Sequence, residues 1–190
     1  MIRYVIACLI ILIVLGLAAA YFFTDYWIHR YDELIARQAR VYRLDEKLVW
    51  SVIHEETWFR AWMIGADDEI GLMQVTPAVG REWAKQTGLK EFERQAAENI
   101  EEFLADPERN IQAGSWYLES LREQYRGYPA ETAMTLAAYN AGPSRVEEWT
   151  KDLDAANLSE SEFIERIGIP STRAYVTSIL ARYRSEQTTK

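Results

Sequence analysis

Two adjacent carboxylates, Glu55 and Glu56, interrupt an apolar stretch that reads WSVIHEETWF. If the stretch is a helix, Glu56 lies on its apolar face and Glu55 points roughly 110° away from that face. The same face also carries Val49, Val52 and Ile53. A carboxyl group among apolar neighbours has a raised pKa and keeps its proton near neutral pH, as a general acid must. Glu56 is therefore the candidate acid, unless it is a buried glutamate satisfied by an arginine or by backbone amides, and Glu55 is expected to be an ordinary surface carboxylate.

The composition and charge favour some classes of function and exclude another. The chain has 190 residues, 49% of them hydrophobic and 13% aromatic, which suits a helical core or an aromatic-lined groove for flat ligands such as sugars. The formal net charge is -8, and no cluster of lysine and arginine stands out. Nucleic acid is therefore an unsuitable partner, because binding its phosphates requires a basic face.

The first 30 residues differ from the rest. An uncharged run, YVIACLIILIVLGLAAAYFF, extends from residue 4 to residue 23 and has the length that a helix needs to cross a bilayer. Ala18, Ala19 and Ala20 resemble a signal-peptidase site, but the aromatic residues that follow favour an uncleaved anchor. We therefore divide the chain into a membrane anchor with a juxtamembrane segment (1–30) and a second domain (31–190).

The second domain is predicted to be almost entirely helical. The expected helices are 31–44, 46–60, 77–87, 91–104, 107–126, 131–140, 144–151, 159–167 and 171–185. Thr76 before Pro77 and Asp106 before Pro107 are typical N-terminal caps. Capping boxes are predicted at Ser144 and Ser159, and the stretch 63–75 is expected to be a loop that contributes at most a minimal β element.

Five ordered segments resemble those of the SLT-type lytic transglycosylases, which are related to goose-type lysozyme. The segments are ETWF (56–59), GLMQVTP (71–77), DPERNIQAGSWYL (106–118), AAYNAGPSRV (137–146) and TRAYV (172–176). They lie in the family's order, with the GLMQ segment at the family's distance from the glutamate. The resemblance implies a lysozyme-like, mainly α-helical fold over residues 44–184.

The resemblance also implies a reaction. The family cleaves the β-1,4 bond between N-acetylmuramic acid and N-acetylglucosamine in peptidoglycan, generally without water, and leaves a 1,6-anhydro end. One carboxyl group then acts first as acid and afterwards as base, whereas ordinary glycosidases use two. By this resemblance Glu56 has both roles, and Tyr139 matches the tyrosine that hydrogen-bonds the glutamate.

Four further residues are expected to contact the substrate through the same resemblance. Gln74 matches a glutamine near the acid, and Tyr175 matches a tyrosine near the cleft, although its spacing also fits a core face. Asn140 is expected to combine substrate contact with a turn. Thr57 replaces the family's serine directly after the acid and retains its hydroxyl.

Three other positions depart from the family pattern. Gly65 stands where many members have a serine that assists near the scissile bond, Thr76 replaces a common methionine, and Ser171 replaces a glutamate. These changes allow two other outcomes, a weaker enzyme or the use of water as the acceptor.

Two alternatives therefore remain. If one of Asp67, Asp68 and Glu69 lies near the acid, it could orient a water molecule, and the protein would be a hydrolytic muramidase; otherwise the triplet is a solvated loop tip. A non-catalytic peptidoglycan-binding scaffold is the other alternative. No metal or cofactor is expected, because His29 and His54 are isolated and the acidic triplet lacks a calcium-loop pattern.

The anchor and the expected substrate together predict the location. The catalytic domain would lie on the periplasmic or cell-wall side of the cytoplasmic membrane, next to the glycan strands nearest the bilayer. An envelope or secretion complex is a possible partner.

Overall fold

The chain is almost entirely helical in this computed structural model, which describes residues 2–151 and 153–188. The α-helices are α1 (Ile2–His29), α2 (Asp32–Val41), α3 (Glu46–Thr57), α4 (Pro77–Gln86), α5 (Lys90–Glu98), α6 (Ile100–Ala105), α7 (Pro107–Gln124), α8 (Glu131–Ala141), α9 (Pro143–Thr150), α10 (Glu160–Arg166) and α11 (Pro170–Thr188). A 3₁₀ turn spans Ala155–Asn157. Within the described residues the β content is two isolated bridges, Ile64–Ile70 and Ile70–Val75, which confirms the predicted class.

The chain divides into two compact units, 1–33 and 34–190. The first unit contains α1, none of whose residues is buried. An 18-residue window here has a mean hydropathy of 2.9, which makes this helix long and apolar enough to cross a membrane. A signal sequence near the N-terminus meets the same criteria of length and composition, so the assignment of α1 as an anchor stays a prediction.

The second unit is built around α8. Residues 133–138 are six consecutive buried positions, so α8 is enclosed on all sides. Four of these six side chains are alanine or threonine, and such small side chains allow neighbouring helices to approach closely. Helices α7, α9, α10 and α11 pack against α8, and α3 packs against α11. This arrangement places the end of α3 beside the helices that carry the expected site residues.

Most of the predicted helix starts are confirmed by their caps. Thr76 accepts a hydrogen bond from the Val79 amide, and Asp106 accepts one from the Arg109 amide. Ser159 forms the complete capping box. Each of these side chains satisfies an amide that the first helical turn leaves without a partner.

Two predictions about helix boundaries were wrong. The helix expected over 91–104 is interrupted at Asn99, whose extended backbone ends α5 and whose side chain caps α6. The capping box expected at Ser144 is absent, because α9 begins at Pro143 and has no side-chain cap. Proline suits the first helical position, and Gly142 with φ 87° turns the chain between α8 and α9.

Candidate active site

The site begins where α3 ends. Glu56 is the penultimate residue of α3, and the next two residues after the helix, Trp58 and Phe59, have positive φ angles of 51° and 61°. Positive φ is uncommon for residues other than glycine. Of the five such residues in the described part of the chain, four lie between positions 58 and 74. This concentration of unusual backbone identifies the region as a functional candidate, because such conformations cluster at active sites.

The loop from residue 63 to residue 75 is held against the end of α3. The Thr57 hydroxyl donates to the Leu72 carbonyl at 3.0 Å and lies 3.3 Å from the Ile53 carbonyl. The Tyr139 hydroxyl, from α8, donates to the Met73 carbonyl at 2.7 Å. Two helices thus fix the backbone of the GLMQ segment through side-chain hydrogen bonds.

A third helix reaches the same segment through Asn110, which sequence reasoning missed. This fully buried side chain of α7 accepts from the Met73 amide at 2.8 Å and donates to the Ile70 and Leu104 carbonyls at 2.7 and 3.0 Å. It also lies directly against Gly71, where an added Cβ would come within 2.5 Å of the Asn110 amide nitrogen. An asparagine on an otherwise apolar helix face was the available signal, since a buried amide requires partners.

The Glu56 carboxyl group is half-buried, and its Oε1 accepts a 2.6 Å hydrogen bond from the Tyr175 hydroxyl of α11. Burial raises the pKa of Glu56 to about 7, and the charges of Glu69 and Glu55 contribute in the same direction. The bond from Tyr175 opposes these effects, because it stabilises the charged carboxylate. Near neutral pH Glu56 therefore exchanges between acid and carboxylate forms.

Glu55 has a different environment. It pairs with Arg182 at 2.9 Å and accepts a 2.7 Å hydrogen bond from the Ser178 hydroxyl. With 25% of its side chain exposed, Glu55 is more buried than the ordinary surface carboxylate that was expected. The structure nevertheless distinguishes the two glutamates as the sequence did, because Glu55 has a cationic partner and Glu56 has a neutral one.

The expected partner of Glu56 needs a correction. Tyr139 was expected to hydrogen-bond Glu56, but its hydroxyl donates to Met73, and Tyr175 donates to Glu56 instead. Burial raises the pKa of both tyrosines well above the usual value, so both remain neutral donors. The Glu56 charge contributes to both shifts, which is consistent with its proximity to the two rings.

Gln74 and Glu69 lie beside Gly65, across the loop. Gln74, with φ 47°, donates from Nε2 to the Gly71 carbonyl at 2.9 Å and to the Met63 carbonyl at 3.4 Å. An added Cβ on Gly65 would lie 2.2 Å from Glu69 Oε2 and 2.7 Å from Gln74 Oε1. The structure thus places Gln74 and Glu69 together beside Gly65, and the Glu69 charge contributes to the raised pKa of Glu56.

The remaining expected contact residues differ in accessibility. Thr57 has 1% of its surface exposed, so its hydroxyl positions the loop and is not available to a polymer. Asn140 is exposed at the end of α8, where its Oδ1 accepts a 2.7 Å hydrogen bond from the Thr172 hydroxyl. Asp67 and Asp68 are also exposed, in contrast to the half-buried Glu69. Among residues 2–151 and 153–188, no group of three His, Cys, Asp or Glu side chains is arranged to hold a metal ion.

Comparison with known protein families gives an unambiguous match. The model of the transglycosylase SLT domain matches residues 33–161, a span that includes Glu56, the GLMQ segment and Tyr139. The chain belongs to the SLT-domain transglycosylase family. Tyr175, the hydrogen-bond partner of Glu56, lies beyond the matched residues.

Curated relatives within this family are similar over part of their length. The chain is 32% identical, over 158 residues, to the membrane-bound lytic murein transglycosylase C of Actinobacillus succinogenes, a match that covers 76% of this chain and 42% of the relative. It is 26% identical to the soluble lytic murein transglycosylase of Escherichia coli, covering 80% of this chain and 22% of the relative. The SLT-domain chain thus spans less than half the length of these relatives.

Solved structures support the family's fold. The lytic transglycosylase Slt of Pseudomonas aeruginosa, determined as an inactive glutamate-to-glutamine mutant, has a TM-score of 0.69 and 25% identity, covering 85% of this chain and 25% of the other. The 70-kDa soluble lytic transglycosylase of Escherichia coli has a TM-score of 0.66 and 25% identity, covering 83% of this chain and 24% of the other. These similarities confirm the predicted lysozyme-like SLT architecture.

Proposed function

We propose that the protein is a membrane-anchored lytic transglycosylase that cleaves the β-1,4 bond between N-acetylmuramic acid and N-acetylglucosamine in peptidoglycan. The observation that carries the proposal is the state of Glu56, a half-buried carboxyl group with a pKa of about 7 and a neutral tyrosine partner. The relatives' names, which are those of lytic murein transglycosylases, support the substrate class.

In the first step Glu56 is the general acid. Its proton passes to the glycosidic oxygen, the bond from that oxygen to the anomeric carbon of muramic acid breaks, and positive charge develops on the sugar ring. The Tyr175 hydroxyl stabilises the carboxylate that is left behind, since a hydrogen bond to the charged form favours it. This step requires no water molecule.

In the second step Glu56 is the general base. The 6-hydroxyl oxygen of the same muramic acid bonds to its own anomeric carbon, and the hydroxyl proton returns to the Glu56 carboxylate. The product has a 1,6-anhydro end, and the enzyme recovers its acid form. A pKa near the working pH suits a group that must both donate and accept a proton in one cycle.

The other site residues act around Glu56. Thr57, Asn110 and Tyr139 hold the GLMQ backbone in place, while Gln74 and Asn140 would contact the glycan. The α1 helix would anchor the enzyme in the cytoplasmic membrane, with the catalytic unit on the periplasmic or cell-wall side. This placement would limit cleavage to glycan near the membrane and would suit work within an envelope or secretion complex.

The test compares the full-length chain in detergent micelles with its Glu56→Gln variant on purified peptidoglycan, with products identified by mass spectrometry. The proposal predicts anhydro-ended muropeptides from the wild type and nearly none from the variant, which still binds the glycan in a pull-down. Cleavage by the variant at the wild-type rate would contradict it. A wild type that binds glycan without cleaving it would instead favour the scaffold.

A hydrolytic muramidase is the second candidate, because the Glu69 carboxylate lies at the site. A second carboxylate can activate water for direct attack on the anomeric carbon. Products with reducing ends in the same assay would identify this reaction.

A further inference from the structure

The carboxylate of Glu69 occupies a space that exists because residue 65 is glycine. Cβ atoms essentially never come within 3.0 Å of another heavy atom, and a Cβ on Gly65 would lie 2.2 Å from Glu69 Oε2. Any side chain at position 65 would therefore displace the Glu69 carboxylate from its present place. The backbone at Gly65 does not require glycine, since it is not among the glycines with positive φ.

The loop holds Glu69 in this place. The Asp67 amide donates to Glu69 Oε2 at 3.0 Å, and the Gly65 amide donates to the Glu69 carbonyl at 2.7 Å. Within residues 2–151 and 153–188, Glu69 has no ion pair with a lysine or arginine, in contrast to Glu55, which is paired with Arg182. The Glu69 charge is therefore fixed in position and has no cation to offset it.

Charged and titratable groups approach Glu56 from three helices and the loop. Tyr175 of α11 and Tyr139 of α8 are neutral, and Glu55 of α3 is paired with Arg182. Glu69 is the contribution of the 63–75 loop, which the hydrogen bond from the Thr57 hydroxyl to the Leu72 carbonyl holds against the end of α3, directly after Glu56. The Glu69 charge raises the pKa of Glu56. A negative charge near a carboxyl group favours the protonated form.

We propose that Glu69 is a positioning residue for the reaction at Glu56. Its negative charge helps to retain the proton on Glu56 before each cleavage, and Gly65 is the residue that makes room for it. The proposal rests on the proposed function, since it assigns Glu69 a role in the same acid step. The three acidic residues then differ in role: the Asp67 amide donates a hydrogen bond to the Glu69 carboxylate, and the Asp68 side chain is exposed to solvent.

The first test is the pH dependence of peptidoglycan cleavage by the full-length chain in detergent micelles. Glu69→Gln removes the charge and keeps the size, so the alkaline limb of kcat/KM is expected to move to lower pH. The loss of kcat/KM would be largest above pH 7, where little of Glu56 is protonated, and negligible near pH 5. Asp68→Asn is the matched control, because asparagine tolerates the φ of 62° at this position and the limb should stay in place.

The second test examines the dependence of Glu69 on Gly65. Gly65→Ala is expected to displace the carboxylate and to reproduce the shift of the alkaline limb seen in Glu69→Gln. In a Glu69→Ala background the same change should not move the limb further, because no carboxylate remains to be displaced and the Gln74 amide, which the new Cβ also approaches at 2.7 Å, carries no charge. Additive effects of the two changes would contradict the proposed dependence.

A spectroscopic test separates this proposal from the proposed function. The pKa of Glu56 is followed by NMR of its carboxyl carbon in the wild type and in Glu69→Gln, where it is expected to fall. This measurement requires no turnover, so a wild type without activity would refute the proposed function and leave the role of Glu69 to be judged from the titration. An unchanged Glu56 titration in Glu69→Gln would overturn the inference. If Glu69→Gln changed the products from reducing ends to anhydro ends without moving the alkaline limb of kcat/KM, the inference would also be overturned. Glu69 would then have a water-orienting role.

Discussion

Replacing Glu56 with glutamine is expected to stabilise the fold at alkaline pH and to have little effect at acid pH. The pKa of Glu56 is raised from 4.5 to about 7 in the folded protein. Well below pH 4.5 the carboxyl group is protonated in both the folded and the unfolded chain, so its ionisation does not reduce the free energy of unfolding there. As the pH rises towards 7, the unfolded chain releases the proton first, and the folded state loses stability relative to it.

The size of this loss follows from the two pKa values. A difference of one unit between the folded and the unfolded pKa corresponds to about 1.4 kcal/mol. Ionising Glu56 in the folded protein therefore lowers the free energy of unfolding by about 3 kcal/mol above pH 7. Glutamine carries no charge at any pH, and its side-chain oxygen still accepts the Tyr175 hydrogen bond. For a chain of this size the gain corresponds to an increase in unfolding temperature of roughly 6–12 °C.

The assay is thermal unfolding of the full-length chain in detergent micelles, followed by tryptophan fluorescence near pH 4, 6 and 8. The difference between Glu56→Gln and wild type should be near zero at the lowest pH and largest at the highest. Glu55→Gln is the control, because it breaks the pair with Arg182 and should destabilise the fold at pH 8. A Glu56→Gln difference that does not change with pH would refute the idea that burial raises the pKa of Glu56.

Three further predictions concern the residues around the acid. Tyr175→Phe removes a hydrogen bond worth about 1.5–3 kcal/mol to the Glu56 carboxylate, so the pKa of Glu56 should rise further. The alkaline limb of kcat/KM should therefore move to higher pH, and a movement to lower pH would contradict this. Asn110→Ala leaves the Met73 amide and two carbonyl groups without the Asn110 side chain as a partner. The free energy of unfolding, measured by thermal unfolding, should fall by about 3 kcal/mol. A loss below about 1 kcal/mol would argue that Asn110 does not hold the loop in place. Thr57→Val should lose about 1 kcal/mol of stability with KM for glycan unchanged, whereas a raised KM at full stability would return Thr57 to the substrate contacts.

The sequence located the carboxyl group with the raised pKa, Glu56, but not its hydrogen-bond partner. Helical periodicity was sufficient to place Glu56 on the apolar face of α3 and Glu55 off it, because both positions follow from one local repeat. Tyr139 and Tyr175 lie on two helices distant in sequence, and both reach the site. Which hydroxyl reaches the carboxyl group depends on how α8 and α11 pack against α3, and no local pattern encodes that packing.

The differences at helix boundaries have the same origin. Asn99 could cap a helix or lie within one, and the continuous helical pattern of 91–104 gave no reason to prefer a break. The Ser144 pattern fits a capping box, but Pro143 directly after Gly142 starts α9 one residue earlier. Asn110 was missed because its partners are backbone groups of the 63–75 loop and of α6, and backbone groups carry no sequence signal of their own.

The most direct test of the central claim is the source of the oxygen in the product. Peptidoglycan would be cleaved by the full-length chain in water enriched in heavy oxygen, and the muropeptides would be weighed by mass spectrometry. If Glu56 acts as acid and then as base towards the 6-hydroxyl, the products are anhydro-ended, one water lighter than reducing sugars, and contain no heavy oxygen. Reducing ends that carry the heavy isotope would contradict the account and establish hydrolysis.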